Sequence, residues 1–452
     1  MQQLKILLSL LVLLIHSLAG ANPYPYQDEV TKDPEWLKNW QPHQIFEKQI
    51  LHSRLNVGQE VMRIQVDWSQ TGEVYALNSV TKELSGTPGL KKTTSRRDAL
   101  GSYIGIIRNS QTGEALGYSS VGTGQEYRKL VRAMTFRFPM PQSKVIFQLM
   151  AEDPQSGIMK LVLEKTVELP LIQTIVSIPV ETRILSSAVN QNEKLIFAIY
   201  ADGYLANRKN VFWLQAQKTV DALKRTNFPG IEHFEFVGVF APSNQALGSA
   251  TDFGLPVKTR DSFLGLYYPY WNKFGRWYHI VYPTNEKKFR DALGQVPHDY
   301  ALALLDNSEY WGIGNYKAFT AIPAGNTQYF AYLLTHELGH FFGLNEEYDG
   351  GGATELEFAT GIDEPWSQNI TFLKDPKNLK WKQFVKPQTP IPTPLTHWSM
   401  TTRPLGAYVG GYADSLGNSH IPGMDCAMSK ISDFCPVCKH AIVERVKFDL
   451  GH

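Results

Sequence analysis

The sequence predicts a multidomain α+β protein, in which an N-terminal β-sandwich is followed by an α/β domain with one prominent helix. Short segments with period-two alternation occupy the first half of the chain. Continuous apolar runs alternate with helical stretches in the second half, as in parallel sheets. Two histidines four residues apart lie in a long helical segment of that second half. A length of 452 residues suits two or three domains.

Composition excludes several classes of protein. Lys and Arg number 44 against 43 Asp and Glu, so a net charge of +1 leaves no basic surface for nucleic acid or an anionic membrane. Hydrophobic residues make up 43% of the chain and aromatic residues 12%, which is enough for large cores and excludes disorder. Only three cysteines are present, too few for a disulfide-dense scaffold.

Residues 1–21 have the pattern of a secretory signal peptide. Lys5 gives the positive start, residues 6–15 are almost wholly apolar, and Ala19-Gly20-Ala21 offers small residues for cleavage. The apolar run is shorter than the ~20 residues that span a bilayer. We therefore expect an exported protein, extracellular or periplasmic, that is not inserted in a membrane and begins near Asn22.

The predicted β-sandwich spans residues 22–180. Its clearest alternation is Met62, Ile64, Val66 and Trp68 against polar neighbours, and a second series follows from Met134 to Leu149. Between residues 181 and 194 no regular apolar period remains, so the sequence predicts a linker there.

The predicted α/β domain spans residues 195–452. Residues 195–200, 234–240 and 300–305 are apolar runs typical of strands buried on both faces. Residues 318–323 predict a further strand that Pro323 ends or confines to a sheet edge.

The motif with a chemical meaning is His336-Glu337-Leu338-Gly339-His340, inside a predicted helix over 329–342 that Asn326 or Thr327 could cap. Histidines four residues apart share a helical face, so both imidazoles can bind one zinc ion. Glu337 projects to the side, where it can meet a water molecule on the metal.

The third metal ligand is predicted to be Glu346. Gly343 can take the left-handed conformation that turns the chain back after the helix, and Glu346 then falls at the position of the third ligand in a metzincin-type pattern. Other ligands stay open. A one-residue shift of the turn would present a neighbouring side chain, and a third ligand on a later helix is a further possibility. These candidates are Glu347, Tyr348, Asp349, Glu355, Glu357 and Glu364.

A second group of candidates lies near the C-terminus. Met428 could form an apolar floor beneath the metal or simply fill a core gap. Cys426, Cys435 and Cys438 are expected to form one disulfide and leave one thiol in an exported protein. The alternative is a structural zinc with His420 or His440 as fourth ligand. Asn369-Ile370-Thr371 matches a glycosylation acceptor.

With these motifs the chain resembles the IgA peptidase family, secreted bacterial metzincin-like zinc metallopeptidases with an N-terminal β-sandwich. The segments that carry the resemblance are THELGHFFGLNEEY (335–348), EPWSQNIT (364–371), Lys380-Trp381-Lys382, Cys426-Ala427-Met428 and FCPVC (434–438). The resemblance extends more weakly through residues 199–204 and 299–310, so it covers most of the region from 195 to 446. In this chain Asn345-Glu346-Glu347-Tyr348 stands in place of the family's Ala-Asp-Glu-Tyr.

The resemblance implies a zincin-like metallopeptidase domain over 195–452 that holds Zn²⁺ through His336, His340 and Glu346. It implies a zinc endopeptidase that hydrolyses protein or peptide substrates with Glu337 as general base, and we expect a monomer. The alternative is a degenerate protease scaffold that serves in binding or adhesion, against which the intact Glu337 argues. His420, Tyr408 and Tyr412 are candidates for the second oxyanion donor, and the strand near 318–322 could align a peptide.

Overall fold

A computed structural model describes most of the chain after residue 54. The described residues are 55–69, 74–84, 103–121, 133–152, 159–247, 261–267, 270–271, 277–278, 281–308, 312–315, 319–325, 328–348, 365, 367–411 and 419–450. The predicted signal peptide and the expected N-terminus near Asn22 lie outside them. Within the described residues, no helix is both long enough and apolar enough to cross a membrane.

Two four-stranded sheets form the first region. One has the order β5-β1-β2-β8 and the other β4-β3-β6-β7, with antiparallel neighbours except for the parallel pair β2 and β8. The strands are Leu55–Ser69 (β1), Val74–Leu84 (β2), Tyr103–Asn109 (β3), Ala115–Val121 (β4), Ala133–Pro141 (β5), Val145–Glu152 (β6), Met159–Val167 (β7) and Gln173–Thr174 (β8).

One apolar core lies between these two sheets. Met62 and Ile64 of β1 and Phe136 of β5 belong to the same buried cluster as Ile107 of β3 and Phe147 of β6. Alternate residues of each strand can therefore be buried against the opposite sheet, because successive side chains point to opposite faces. The arrangement is compatible with the predicted β-sandwich.

A six-stranded sheet forms the centre of the second region. Its order is β17-β18-β16-β10-β11-β9, with four parallel strands in the middle and an antiparallel strand at each end. The elements are Glu181–Ser186 (β9), Leu195–Asp202 (β10), Lys209–Arg225 (α1), Phe234–Phe240 (β11), Leu266–Tyr267 (β12), Tyr270–Trp271 (β13), Trp277–Tyr278 (β14), Tyr282–Pro283 (β15), Glu286–Leu293 (α2), Tyr300–Leu305 (β16), Ile313–Asn315 (β17), Phe319–Pro323 (β18), Phe330–Phe341 (α3), Tyr408–Val409 (β19), His420–Ile421 (β20) and Pro436–Leu450 (α4). Helix α3 carries the histidine motif.

Helices cover both faces of this sheet. Phe197 and Ile199 of β10 belong to the core beneath α1, α3 and α4, whereas Ala198 and Tyr200 belong to the core beneath α2. The apolar runs predicted as buried strands are therefore buried on both faces, since each run must supply both cores. The result is a mixed α/β region that positions α3 against the central strands.

Two predictions from the sequence need correction. Residues 181–186 of the expected linker form β9, which pairs with β11, so the sheet begins before the change of pattern at Leu195. This strand resembled a linker because an edge strand keeps polar, exposed side chains such as Arg183. Strand β18 ends at Pro323, which is one of the two outcomes expected of that residue. The strand is not at an edge, however, because it lies inside the sheet and β17 is the edge strand.

A buried ion network joins the two regions. Glu83 of β2 accepts hydrogen bonds from Arg63 Nη1 at 2.9 Å and from Arg137 Nε at 2.6 Å. Arg63 also donates to Asp291 of α2, and Arg137 Nη1 donates to the His298 carbonyl at 2.6 Å. Because Glu83 is the anion shared by both guanidinium groups, the contact between the regions depends on its charge.

We expect Glu83→Gln to lower the free energy of unfolding by about 3–5 kcal/mol, because a buried ion pair that loses one partner leaves an uncompensated charge. Glu60→Gln is the matched control, since Glu60 pairs with Lys82 on the surface of the same sheet, where the loss is ~0–1 kcal/mol. Urea unfolding of both variants measures the difference. Equal losses in the two variants would contradict a structural role for the network.

Candidate active site

Helix α3 presents the histidine motif on a buried face. It starts at Phe330, a few residues after the end of β18, without a side-chain cap, and Leu334 and Leu338 pack it against the sheet. His336, Glu337 and His340 are each less than a tenth exposed. Asn326 and Thr327, which the sequence offered as caps, lie outside the described residues.

The two imidazoles point at each other. His336 Nε2 and His340 Nε2 are 3.2 Å apart. The other ring nitrogen of each histidine, Nδ1, faces a backbone carbonyl. His336 Nδ1 lies 2.9 Å from the Ala427 carbonyl oxygen, and His340 Nδ1 lies 3.0 Å from the Leu344 carbonyl oxygen. A carbonyl only accepts, so each Nδ1 carries the proton and each Nε2 presents a lone pair. Two lone pairs at this distance repel unless a cation lies between them.

Glu346 completes this set of donors. Gly343 has a φ of 92°, and it ends the helix as predicted. Beyond this turn, Glu346 Oε1 lies 3.5 Å from His340 Nε2. Two ligands of a tetrahedral zinc with bonds of ~2.0–2.1 Å are separated by ~3.3–3.4 Å, so the 3.2 Å and 3.5 Å separations of these donors fit one ion.

The protonation state of His336 suits a metal ligand. Burial, together with the neighbouring His340, lowers the pKa of His336 to about 4. The ring is therefore neutral at physiological pH, which is the form that binds metal. Two imidazoles and one carboxylate are a donor set that zinc accepts, and they leave a fourth position for water.

Glu337 lies beside these donors on the same helix. Burial raises the pKa of its carboxyl to about 7, and the backbone N–H of Gly314 donates a hydrogen bond to it. Carboxyl groups with a pKa near the working pH are suited to proton transfer.

The edge strand β17 packs directly on α3 through glycine. A Cβ atom on Gly314 would lie 1.9 Å from the Glu337 carbonyl oxygen, and one on Gly312 would lie 3.0 Å from Glu337 Cγ. Neither residue belongs to the motifs that predicted the site from the sequence. Two glycines at period two, Gly312-Ile313-Gly314, are nevertheless a sign that another element approaches one face of a strand.

Met428 lies under α3, where the sequence offered it as a floor. A Cβ atom on Gly339 would lie 2.3 Å from Met428 Sδ, so the sulfur occupies the space that a side chain between the two histidines would need. The preceding residue, Ala427, supplies the carbonyl that orients His336. The turn that contains Ala427 and Met428 therefore both packs against α3 and fixes the orientation of the His336 ring.

Asn369 holds the segment that carries Glu346, and Lys380 holds the segment that carries Asn369. Asn369 Oδ1 accepts from the Asn345 N–H at 2.9 Å, and its Nδ2 donates to the Asn345 carbonyl at 2.8 Å. Lys380 donates to the carbonyls of Pro365, Ser367 and Ile370. Because Asn369 is fully buried, the predicted glycosylation acceptor has no exposed amide.

The remaining candidate residues differ in where they lie and in what they contact. Glu347 turns towards Cys438, whose Sγ is 3.0 Å from Glu347 Oε1, and not towards the histidines. All three cysteines are free, so the structure holds no disulfide among them. The hydroxyl of Tyr408 donates to the Pro404 carbonyl, and the exposed ring of His440 packs on Phe384. The candidates outside the described residues are Asp349, Glu355, Glu357, Glu364 and Tyr412.

The α/β fold and a helix with paired histidines beside a glutamate define a site of the metallopeptidase class. A protein-family model described as IgA Peptidase M64 matches residues 184–404. The match confirms the resemblance of these residues to the IgA peptidase family, a family of metallopeptidases whose substrates are proteins or peptides. No curated protein matches the chain.

Proposed function

We propose that this protein is a secreted zinc endopeptidase. The single observation that carries the proposal is the convergence of two imidazole lone pairs, from His336 and His340, beside the buried carboxyl of Glu337. The signal-peptide pattern over 1–21 supports export, and we propose that the chain acts as a monomer. We also propose a sandwich domain within 22–180 and a zincin-like catalytic domain from about residue 195 onward, with β9 added to its sheet.

His336, His340 and Glu346 would hold the zinc, which when bound lowers the pKa of a water molecule and polarises the scissile carbonyl. Glu337 accepts the proton of the attacking water, and its raised pKa suits that task. The same carboxyl then gives the proton to the leaving amine. The Gly314 N–H holds the carboxylate in position during both transfers.

Substrate alignment is proposed at β17. Among the described strands this is the end of the sheet, and its face packs on α3 next to Glu337. An extended peptide that added to the outer edge of β17 would pair through backbone hydrogen bonds. Its scissile bond would then lie near the histidines. Strand addition of this kind is tolerant of sequence, so we propose generic protein substrates.

Metal removal tests the proposal. Dialysis of the purified full chain against 1,10-phenanthroline should reduce cleavage of denatured casein by ~10³-fold or more, because the metal supplies several kcal/mol of transition-state stabilisation. Readdition of zinc should restore activity, whereas Mg²⁺ should not, since Mg²⁺ prefers octahedral oxygen ligands. Full activity in metal-free protein, checked by elemental analysis, would rule out a zinc peptidase.

A further inference from the structure

A second cluster of metal-binding groups lies behind the candidate active site. The Sγ atoms of Cys426, Cys435 and Cys438 and one carboxylate oxygen of Glu347 are all within 4.8 Å of one another. All four side chains are buried, with exposures of 0%, 5%, 0% and 3% in that order. Four donors of this kind around one point are what a structural zinc requires.

The backbone arrangement suits thiolates. Cys435 immediately precedes α4 and Cys438 lies in its first turn, so the pair has the C-x₂-C spacing common among zinc ligands. The N–H of Cys435 donates to Cys426 Sγ at 3.3 Å. A helix N-terminus also favours negative charge. Cys426 joins the cluster from the turn that contains Met428.

Glu347 provides an independent indication of a cation. Asn369 Nδ2 donates to Glu347 Oε1 at 3.0 Å, but Oε2 has no hydrogen-bond partner within the part of the chain that the structure describes. The contacts that the structure gives for this carboxylate are with an amide and with thiols, and none of them carries positive charge. A buried carboxylate without a cation costs several kcal/mol.

A disulfide would leave this situation unresolved. It would use two of the three sulfurs, and the Glu347 carboxylate would stay buried without a counter-charge beside the third thiol. A zinc ion uses all four donors. With three thiolates and one carboxylate the site has the same formal charge, minus two, as a four-cysteine zinc site. Thiolate ligands also favour zinc over Mg²⁺ or Ca²⁺.

We propose that Cys426, Cys435, Cys438 and Glu347 bind a structural zinc ion that is distinct from the metal of the candidate active site. The proposal takes up the zinc alternative in place of the expected disulfide, with Glu347 instead of His420 or His440 as the fourth ligand. Neighbouring carboxylates, those of Glu346 and Glu347, then serve two different ions. The structural ion ties the turn of Met428 to α4 and to the segment that carries Glu346, and the Glu347 N–H donates to the Met428 carbonyl at 2.9 Å.

The test measures zinc content and its ligands in the full chain, purified with zinc and reductant. Elemental analysis of the wild type should give about two zinc ions per chain, and His336→Ala/His340→Ala should retain about one. X-ray absorption at the zinc edge of that double variant should show three sulfur neighbours at ~2.3 Å. Cys435→Ser/Cys438→Ser should lose the sulfur-bound ion, whereas Lys439→Ser, an exposed change in the same helix turn, should keep both.

The double histidine variant decides the matter even if the cysteine variant fails to fold. A double variant without zinc, or with zinc bound only by nitrogen and oxygen, would overturn the proposal. So would a wild-type chain that, purified without reductant, has no sulfur-bound zinc and has lost two hydrogens by mass, as a disulfide requires. Failure of the proposed peptidase site has a different signature, since wild type and double variant would then both hold one sulfur-bound zinc.

Discussion

Glu337→Gln should reduce kcat by about 10²–10⁴-fold while zinc content stays at the wild-type level. Glutamine has nearly the same shape as glutamate, so it fits beside Gly312 and still accepts the hydrogen bond of the Gly314 N–H through its amide oxygen. It cannot take the proton of the attacking water. The affected quantity is therefore the chemical step, measured as kcat on a fluorogenic peptide together with elemental analysis.

Glu235→Gln is the control for this substitution. Glu235 is buried like Glu337, but it lies on β11 of the six-stranded sheet and not on α3. Its carboxylate pairs with Lys194 at 2.8 Å and has no part in the proposed chemistry. Its kcat should equal that of the wild type. A Glu337→Gln enzyme that kept its zinc and more than about a tenth of wild-type kcat would show that another group is the base, since base catalysis contributes at least ~10²-fold.

Gly314→Ala should have the second large effect. The added Cβ would lie 1.9 Å from the Glu337 carbonyl oxygen and 2.9 Å from His340 Cβ. Neither atom can move aside on its own, so relief of the clash requires β17 to move away from α3. A shift of about 1 Å at a catalytic group can cost ~10²-fold in rate. We therefore expect kcat/KM to fall by about that factor, and the free energy of unfolding to fall by about 1–3 kcal/mol through overpacking.

Gly423→Ala adds the same methyl group where there is room. The nearest atom to its Cβ would be Leu405 Cδ2 at 3.5 Å, an ordinary contact. The kcat/KM of peptide hydrolysis and the free energy of urea unfolding of this variant should both be close to the wild-type values. If Gly314→Ala behaved as Gly423→Ala does in both assays, the close packing of β17 on the helix would have no functional importance.

The sequence alone determined the part of the site whose geometry is local. His336, Glu337 and His340 lie within five residues of one helix, where the helical repeat itself places the two imidazoles on one face. The turn at Gly343 was equally predictable, because only glycine adopts a positive φ without strain. The buried strands were predictable from their continuous apolar runs, because a strand that is buried on both faces has apolar residues at successive positions.

The remainder was decided by tertiary structure. The sequence left Glu346 and Glu347 both open, because the side of the turn that each one faces depends on contacts with Asn369 and Met428, far along the chain. Counting cysteines predicted a disulfide, whereas the fold brings a distant carboxylate, Glu347, to the three thiols. Strand order likewise has no local signal, and so the edge strand beside the site was misplaced. Long-range packing chooses among partners that local sequence treats as equal, and this is why Glu347 was recognised as the fourth group beside the three cysteines only in the folded chain.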